Sequence, residues 1–418
     1  MLDIRKECTG CMACVNSCPA GAISIVENEY GFVMPEISSE MCVECGACEE
    51  VCPIVTFPEG EDLSVFSIER SDKQEEIKKI DSAEKMQPVG AWSMFHKSEN
   101  VVKKSSSGGV FYGLAEKVLE KGGIVFGCFY DISRKTAVLS DTDRIPLDSL
   151  LTSKYVESYI GEDGLIRVEK EVQAGREVLF CGTPCQAAGL RSFLRKDYEN
   201  LTIVDFACGG VAAQPYLRDY LELKEKEYDS ALAGLCFRDK YYGWGQNSMK
   251  LEFENGQIYR KTALSDPYYF CFLRSSMQRL SCHGCHFSDN HKSDISLADF
   301  WKCDHFDVER NCRKGISLVL AFTEKGKTKV CELSDSMNME ELPIKEASYN
   351  LVGRVCPESK LEEIFRDMST AYHEGVVALR NRLLTEEEKE YYEKRQQIMD
   401  DENEAALHPE IVGKGQIV

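Results

Sequence analysis

Hydrophobic and polar residues change their rhythm several times along the chain, and each change predicts a different kind of structure. AISIVENEYGFVMPEI, residues 22–37, sets two short apolar-rich runs around a polar turn, which predicts a β-hairpin. Residues 58–88 are charged, weakly apolar and carry no regular stripe, so they read as a linker with room for one helix. An alternation of β-like and helix-like segments follows: GAWSMF, a helix from Gly109 to about Lys121, then the apolar GGIVFGCFYD. Further strands are predicted at 177–182, 201–208 and 316–323, with helices after Pro184 and Pro215. SMKLEF and QIYRK flank Glu254-Asn255-Gly256, and Asn-Gly between alternating strands is a strong hairpin signal. From about residue 358 the pattern is helical, with Thr385 and Glu388 forming a capping box before a run charged on most faces. Such runs are usually solvated or packing helices. The predicted class is α+β or mixed α/β, ending in a helical tail.

Size and composition bound this picture. At 418 residues the chain exceeds the roughly 250–300 residues at which one core stops growing, so several folding units are expected. The divisions predicted are a small module at 1–57, the linker at 58–88, the main α/β unit at 89–330 and a largely helical extension at 331–418. Hydrophobic residues make up 43% and charged residues 29%, and no stretch approaches the roughly 20 apolar residues of a membrane span. A soluble protein without membrane insertion is expected. The N-terminus, MLDIRKECTG, has neither an apolar h-region nor a cleavage site, so a cytoplasmic location with reduced thiols is expected. The formal charge of -20 argues against nucleic-acid binding.

Twenty cysteines then ask for a use other than disulfides, and metal ligation is the main one left. Cys8, Cys11, Cys14 and Cys18 precede Pro19, and Cys42, Cys45, Cys48 and Cys52 precede Pro53, both with the spacing C-x-x-C-x-x-C-x-x-x-C-P. Three thiolates at intervals of three wrap one loop around a cubane face, while the fourth reaches the other cluster. That predicts two [4Fe–4S] clusters with crossed ligation: Cys8, Cys11, Cys14 and Cys52 for one, Cys42, Cys45, Cys48 and Cys18 for the other. A pair of zinc sites is the alternative, but zinc favours paired knuckles or mixed Cys/His sets, and no histidine occurs before His96. With the hairpin between its motifs, this segment resembles a bacterial-type ferredoxin.

Ser105 to Gly109 stand directly before an apolar-periodic helix, where hydroxyls and a helix N-terminus can receive a phosphate. Alone, such a segment is capping chemistry far more often than a cofactor site. The surrounding blocks extend it: SSSGGVF, SKYVES (153–158), VLFCGTPCQAAGL (178–190), DFACGG (205–210), CFRDKYYGW (236–244), CHGC (282–285) and SDISLADFW (293–301). In that order they resemble the coenzyme F-420 hydrogenase/dehydrogenase beta-subunit family, from about Gly90 to Gly326. The ferredoxin-like module ahead of them is similar to the bacterial branch of that family, whose members carry FAD and iron–sulfur clusters.

The resemblance implies a mixed α/β flavin-binding domain in which Ser106, Ser107, Gly108 and Gly109, with Lys154 and Tyr155, contact FAD or another flavin. It adds Gly182, Thr183 and Pro184, at the end of an apolar strand where α/β folds bind ligands. It also implies a third [4Fe–4S] cluster held by Cys185, Cys208, Cys282 and Cys285. Read as residues, the Cys282/Cys285 knuckle is also compatible with a zinc half-site or a redox dithiol. Cys128, Cys181, Cys236, Cys271, Cys303, Cys312, Cys331 and Cys356 show no ligand spacing and are expected to be mostly small buried hydrophobes. Asp294 and Asp299, at strand ends, are expected to form hydrogen-bonded turns.

The function this implies is an anaerobic iron–sulfur flavoprotein oxidoreductase. Single electrons pass between the clusters and a flavin that exchanges two electrons with an organic substrate or a deazaflavin coenzyme. A ferredoxin-dependent reductase of a small metabolite or glycan precursor, and a non-enzymatic electron-transfer subunit, are the competing readings. The partner is a redox protein or a small electron donor or acceptor; oligomerisation, catalytic acid and base stay open.

Overall fold

The structure is a computed structural model that describes residues 7–55, 87–301, 314–347 and 360–407. Nearly all of the predicted linker, with Cys303, Cys312 and Cys356, lies outside the described residues.

The N-terminal module contains the expected hairpin, β1 (Ile23–Glu27) and β2 (Val33–Ile37), paired antiparallel. Its turn closes because the Asn28 carboxamide oxygen accepts the backbone N–H groups of Tyr30 and Phe32, both at 3.0 Å, while Gly31 takes a positive φ. The main unit supplies β3 (Gly90–His96), β4 (Ile124–Asp131), β5 (Thr136–Asp141), β6 (Val178–Cys181) and β7 (Leu201–Phe206). There follow β8 (Leu232–Asp239), β9 (Ser248–Phe253), β10 (Ile258–Thr262), β11 (Ile295–Asp299), β12 (Ser317–Ala321) and β13 (Met337–Glu341). Eight of these form one sheet in the order β13-β3-β12-β11-β7-β6-β4-β5, and β10-β9-β8 form a separate antiparallel sheet.

Within the large sheet β4, β6, β7 and β11 are parallel neighbours, and the strands on either side are antiparallel. The unbroken apolar runs of β6 and β7 suit this position, since a parallel strand is covered on both faces. The Val110–Glu120 helix packs Leu114 and Val118 on one face. On the other, the Gly164–Gln173 and Pro184–Leu194 helices bury Leu165, Val168 and Leu190. That second core also takes in Met12, Ala13, Val15 and Val51, so the ferredoxin-like module is seated against the sheet domain.

One expectation changes. A boundary at residue 330 would fall inside the Glu324–Cys331 helix, and β13, beyond it, pairs with β3; the sheet therefore continues past that point. The tail is helical as expected, at Leu361–His373, Val376–Leu383 and Glu386–Leu407, with the capping box formed between Thr385 and Glu388. It is packed as well as solvated. Met368, Ala371 and Leu379 join the core around Tyr216 and Phe270, and buried Gln396 accepts from the Thr262 N–H and hydroxyl, each at 2.9 Å.

Candidate functional site: three cysteine cages and a cavity

The two cysteine motifs fold alike because they place left-handed residues at the same offsets. Gly10 and Met12 follow Cys8 as Glu44 and Gly46 follow Cys42, with φ of 72°, 58°, 53° and 73°. Each pair turns the loop so that successive cysteines face a common centre, and a short helix then starts at Ala13 or Ala47. One hollow is lined by Cys8, Cys11, Cys14 and Cys52, and another by Cys18, Cys42, Cys45 and Cys48. The fourth cysteine of each motif has thus crossed to its partner's hollow. Burial, reinforced by Cys8 and Cys52, pushes the Cys14 thiol up to about 12, and burial with Cys14 raises Cys11 well above its ordinary value. Such a set becomes tetrathiolate only around a cationic core, so these residues fit an iron–sulfur group. The outer cage is nearer solvent: Cys45 is exposed, and Met41 and Val43 flank it with 53% and 66% exposure.

A third cage draws on three separated segments. Cys185 sits in the first turn of the Pro184–Leu194 helix, Cys208 just beyond β7, and Cys282 and Cys285 around the Leu280–His283 turn. All four line one small hollow of about 40 Å³, together with Thr9 and Gly10 of the N-terminal module. Burial raises Cys282 well above the usual thiol range, and Cys208, Cys285 and Cys185 add to the rise in that order. Two of the sulfur atoms already have hydrogen-bond partners: the Gly210 N–H donates to Cys208 Sγ at 3.4 Å, and Thr183 Oγ1 is 3.1 Å from Cys185 Sγ. Four thiols without a carboxylate or a backbone ligand among them are a donor set suited to an iron–sulfur cluster.

Next to this cage opens a cavity of about 270 Å³ at the carboxyl ends of β4, β6, β7 and β11. A ligand site at this edge follows from the crevice left where parallel strands end. Ser106, Ser107, Gly109, Lys154, Tyr155, Gly182 and Thr183 all line it, as does Cys208. Two expected contacts fall elsewhere. Pro184 lines the cysteine hollow, and Gly108 packs between β3 and β12, where a Cβ would lie 2.3 Å from the Met94 carbonyl oxygen. Gly109 has φ +88° and leads into the Val110–Glu120 helix, whose first residues, Val110 and Phe111, also line the cavity. Ser106 is held by Ser153, whose N–H donates to it at 2.7 Å, and Ser107 donates to the Ile316 carbonyl at 2.7 Å. Lys154 donates to the carbonyls of Leu151 (2.6 Å) and Ser149 (3.3 Å), and burial lowers its pKa.

Sequence reading missed the cation at the cavity floor. Arg238 is buried, donates to Asp299 Oδ2 at 2.9 Å and to the Tyr155 hydroxyl at 3.3 Å, and keeps Nη2 without a protein partner. Burial works to lower it, but Tyr155 and Asp299 hold it above the ordinary arginine value. The signal was present: β8 is a largely apolar strand that ends in Arg238 and Asp239, with a second cation, Lys240, directly after it. Lys240 donates to the carbonyls of Val102, Ser107 and Lys314 and so clamps the serine loop. Asp299 is therefore a counter-ion to Arg238, whereas Asp294 is structural, accepting from Ile203 N–H, Arg191 and Thr323. Of the unassigned cysteines, Cys271 is core, Cys331 is exposed, and Cys128 and Cys181 line the cavity.

Three of the four hollows share walls. Ser158, Thr183, Gln186 and Cys208 line both the cavity and the third cage, and Thr9 and Gly10 line both the third cage and the Cys8 cage. The residue set is therefore continuous from the Cys8 cage to the serine loop, and the Cys45 cage joins it through the crossed cysteines Cys18 and Cys52.

Comparison with known proteins is consistent with both parts. Residues 175–347 match the family described as the C terminus of the coenzyme F420 hydrogenase/dehydrogenase beta subunit, and residues 7–55 match the 4Fe-4S dicluster domain. The chain is 46% identical over 46 residues to the B component of an ion-translocating oxidoreductase complex of Methanosarcina acetivorans, covering 11% of this chain and 16% of that protein. It is 36% identical over 59 residues to a ferredoxin-like protein in the nif region of Azotobacter vinelandii, covering 13% and 59%. With a 7Fe ferredoxin of Hydrogenibacillus schlegelii it shares 38% over 53 residues, covering 12% and 62%. These matches span between 16% and 62% of the relatives' own lengths. Among solved structures, a chain of the xenon-derivatised F420-reducing [NiFe] hydrogenase complex from Methanosarcina barkeri aligns at TM-score 0.43 and 14% identity, over 71% of this chain and 93% of that one.

Proposed function

From a chain that joins a 4Fe-4S dicluster domain to the C-terminal domain of the coenzyme F420 hydrogenase/dehydrogenase beta-subunit family, we propose an iron–sulfur flavoprotein oxidoreductase. It passes single electrons between ferredoxin-type clusters and a flavin that exchanges two electrons with an organic substrate, a deazaflavin coenzyme being the first to try. The observation that carries this reading is the run of shared walls from the Cys8 cage, through the Cys282 cage, to the serine-loop cavity, with the more exposed Cys45 cage tied to the first by the crossed Cys18 and Cys52. When bound, the clusters supply one-electron steps and the flavin converts between one- and two-electron chemistry.

The protein's own residues have separable tasks. Cys18, Cys42, Cys45 and Cys48 face the solvent side, where a redox partner docks against Met41 and Val43. Cys8, Cys11, Cys14 and Cys52, then Cys185, Cys208, Cys282 and Cys285, hold the groups further in. Ser106, Ser107 and Gly109, before the helix N-terminus, receive a phosphate with Lys154 as its counter-charge. Arg238, which lines the cavity and keeps Nη2 without a protein partner, would supply a fixed cation that favours the electron-rich form of a heterocycle bound there.

The test is iron, zinc and flavin content of anaerobically purified protein. About twelve irons and one flavin per chain are expected from three four-iron clusters. Cys282→Ser should lose about a third of the iron and keep the N-terminal pair. Bleaching of the deazaflavin visible band on mixing would assign that coenzyme. Iron retained with no flavin bound after reconstitution would instead favour a cluster-only electron-transfer protein.

A further inference from the structure

We infer that Arg279, locked to Glu157, is the positioning residue that couples the Cys8 cage to the Cys282 cage and sets the reduction potentials of the clusters they hold. The inference rests on the cluster assignment proposed above and deepens it, since nothing in the ligand set itself explains how two separately folded cages are brought into register.

Arg279 and Glu157 are 3% and 4% exposed. The guanidinium distributes its donors across the junction. Nη1 donates to the Cys8 carbonyl at 3.1 Å and meets Met34 Sδ at 3.2 Å, Nη2 donates to the Val33 carbonyl at 2.6 Å, and Nε donates to Glu157 Oε1 at 3.1 Å. Nη2 also contacts the same carboxylate oxygen, and Glu157 Oε2 accepts the Val33 N–H at 3.2 Å. The cation lies over the Phe32 ring, 5.2 Å from its centroid. Cys8, Val33 and Met34 belong to the N-terminal module; Glu157 and Arg279 belong to the sheet domain. Gly10 completes the fit: at φ +72° a Cβ there would come within 2.8 Å of Arg279 Nη2.

The same residue leads straight to the inner cage. The Arg279 carbonyl accepts the Cys282 N–H at 2.9 Å, and Ser281 Oγ donates to the Cys8 carbonyl at 3.0 Å. Two short bonded routes therefore join a ligand of one cage to a ligand of the other: Cys8 to Arg279 to Cys282, and Cys8 to Ser281 to Cys282. With clusters held in both cages, these routes would link them for a one-electron exchange in which one cluster is oxidised as the other is reduced, with no bond made or broken and no proton moved.

A buried ion pair is a poor stabiliser against apolar packing, because desolvation offsets its Coulomb energy. Its electrostatic effect on a neighbour is another matter. Arg279 is close enough to interact with Cys8 and Cys282, and Cys185 also feels it. A fixed cation favours the more negative, reduced state of a cluster beside it, and Glu157 partly cancels that field.

The two variants should therefore move potentials in opposite directions. In paramagnetic-resonance redox titrations of the full chain, Arg279→Gln should lower the potentials of two of the three clusters. Glu157→Gln should raise the same two, and the Cys42 cluster should stay put in both. Arg279→Lys should restore much of the wild-type potentials. If Arg279→Gln fails to retain iron, Glu157→Gln, which leaves the cation in place, decides. Unmoved potentials in iron-replete Glu157→Gln, or shifts of one sign in both variants, would overturn the role of Arg279. A wild-type protein with only two cluster signals would instead overturn the assignment of the inner cage.

Discussion

Lys240 shows how a single side chain ties stability to pH at this site. Its ammonium has three N–H groups for three carbonyls, yet burial, followed by the nearby Arg238, lowers its pKa from 10.5 to about 7. Above pH 7 the unfolded chain keeps this proton more readily than the native one, so the contribution of Lys240 to stability rises with pH between about 7 and 10.5. Below 7 both states are protonated and the burial penalty is constant. The stability difference between wild type and Lys240→Met, measured by urea unfolding, should climb across that window at up to about 1.4 kcal/mol per pH unit. A flat difference would mean the carbonyl contacts fully replace water. Arg238 and Arg279 make a related point: each is buried and multiply bonded, but of the two only Arg238 keeps an unpartnered nitrogen, in a side chain that lines the cavity.

Among the elements, the Pro184–Leu194 helix has the most to organise. It begins with a reciprocal box, in which Thr183 Oγ1 accepts the Gln186 N–H at 3.4 Å and Gln186 Oε1 accepts the Thr183 N–H at 3.0 Å. Pro184 at the first helical position needs no N–H partner, which leaves the first turn free to present Cys185 to the inner cage. Gln186 also donates to the Ser158 hydroxyl at 2.9 Å, linking the helix to the wall shared with the cavity. Thr183→Ala should destabilise the fold by about 1 kcal/mol in chemical denaturation. Because Thr183 Oγ1 also touches Cys185 Sγ, the same variant should shift the inner-cluster spectrum while leaving the N-terminal pair unchanged. An altered N-terminal signal would show that the cap acts on the whole domain rather than on this turn.

For the molecule as a whole, the ferredoxin-like module is part of the body and not a bead on a string. Gly189, in the middle of that same helix, marks the contact: a Cβ there would sit 2.8 Å from Cys11 Cβ and 2.9 Å from Cys11 Sγ. Gly189→Ala should therefore displace Cys11 and lose the iron of its cage. Gly245→Ala, where a Cβ meets nothing within 4 Å, should keep full iron and serve as the control. Equal iron content in the two variants would mean that the module shifts freely against the sheet.

Much of this was legible in the one-dimensional pattern. The spacing of Cys8 to Cys18 and Cys42 to Cys52 dictates the crossed cages, because ligand geometry over so few residues leaves the loop little choice. Alternating and periodic hydrophobicity likewise determined the hairpins at Asn28 and Asn255 and the strands β4, β6, β7 and β12, since local burial repeats with the period of the backbone. The third cage could be proposed only by resemblance, as its cysteines come from segments that no local period relates. What tertiary structure alone decided is where separate strand ends and loops meet: Arg238 with Asp299, Arg279 with Glu157 and Cys8, and the common walls of the cages and the cavity. Those pairs lie 61 and 122 residues apart in the chain for the two ion pairs and 271 for the contact with Cys8, so their energies are set by how the sheet stacks its neighbours and not by any local pattern.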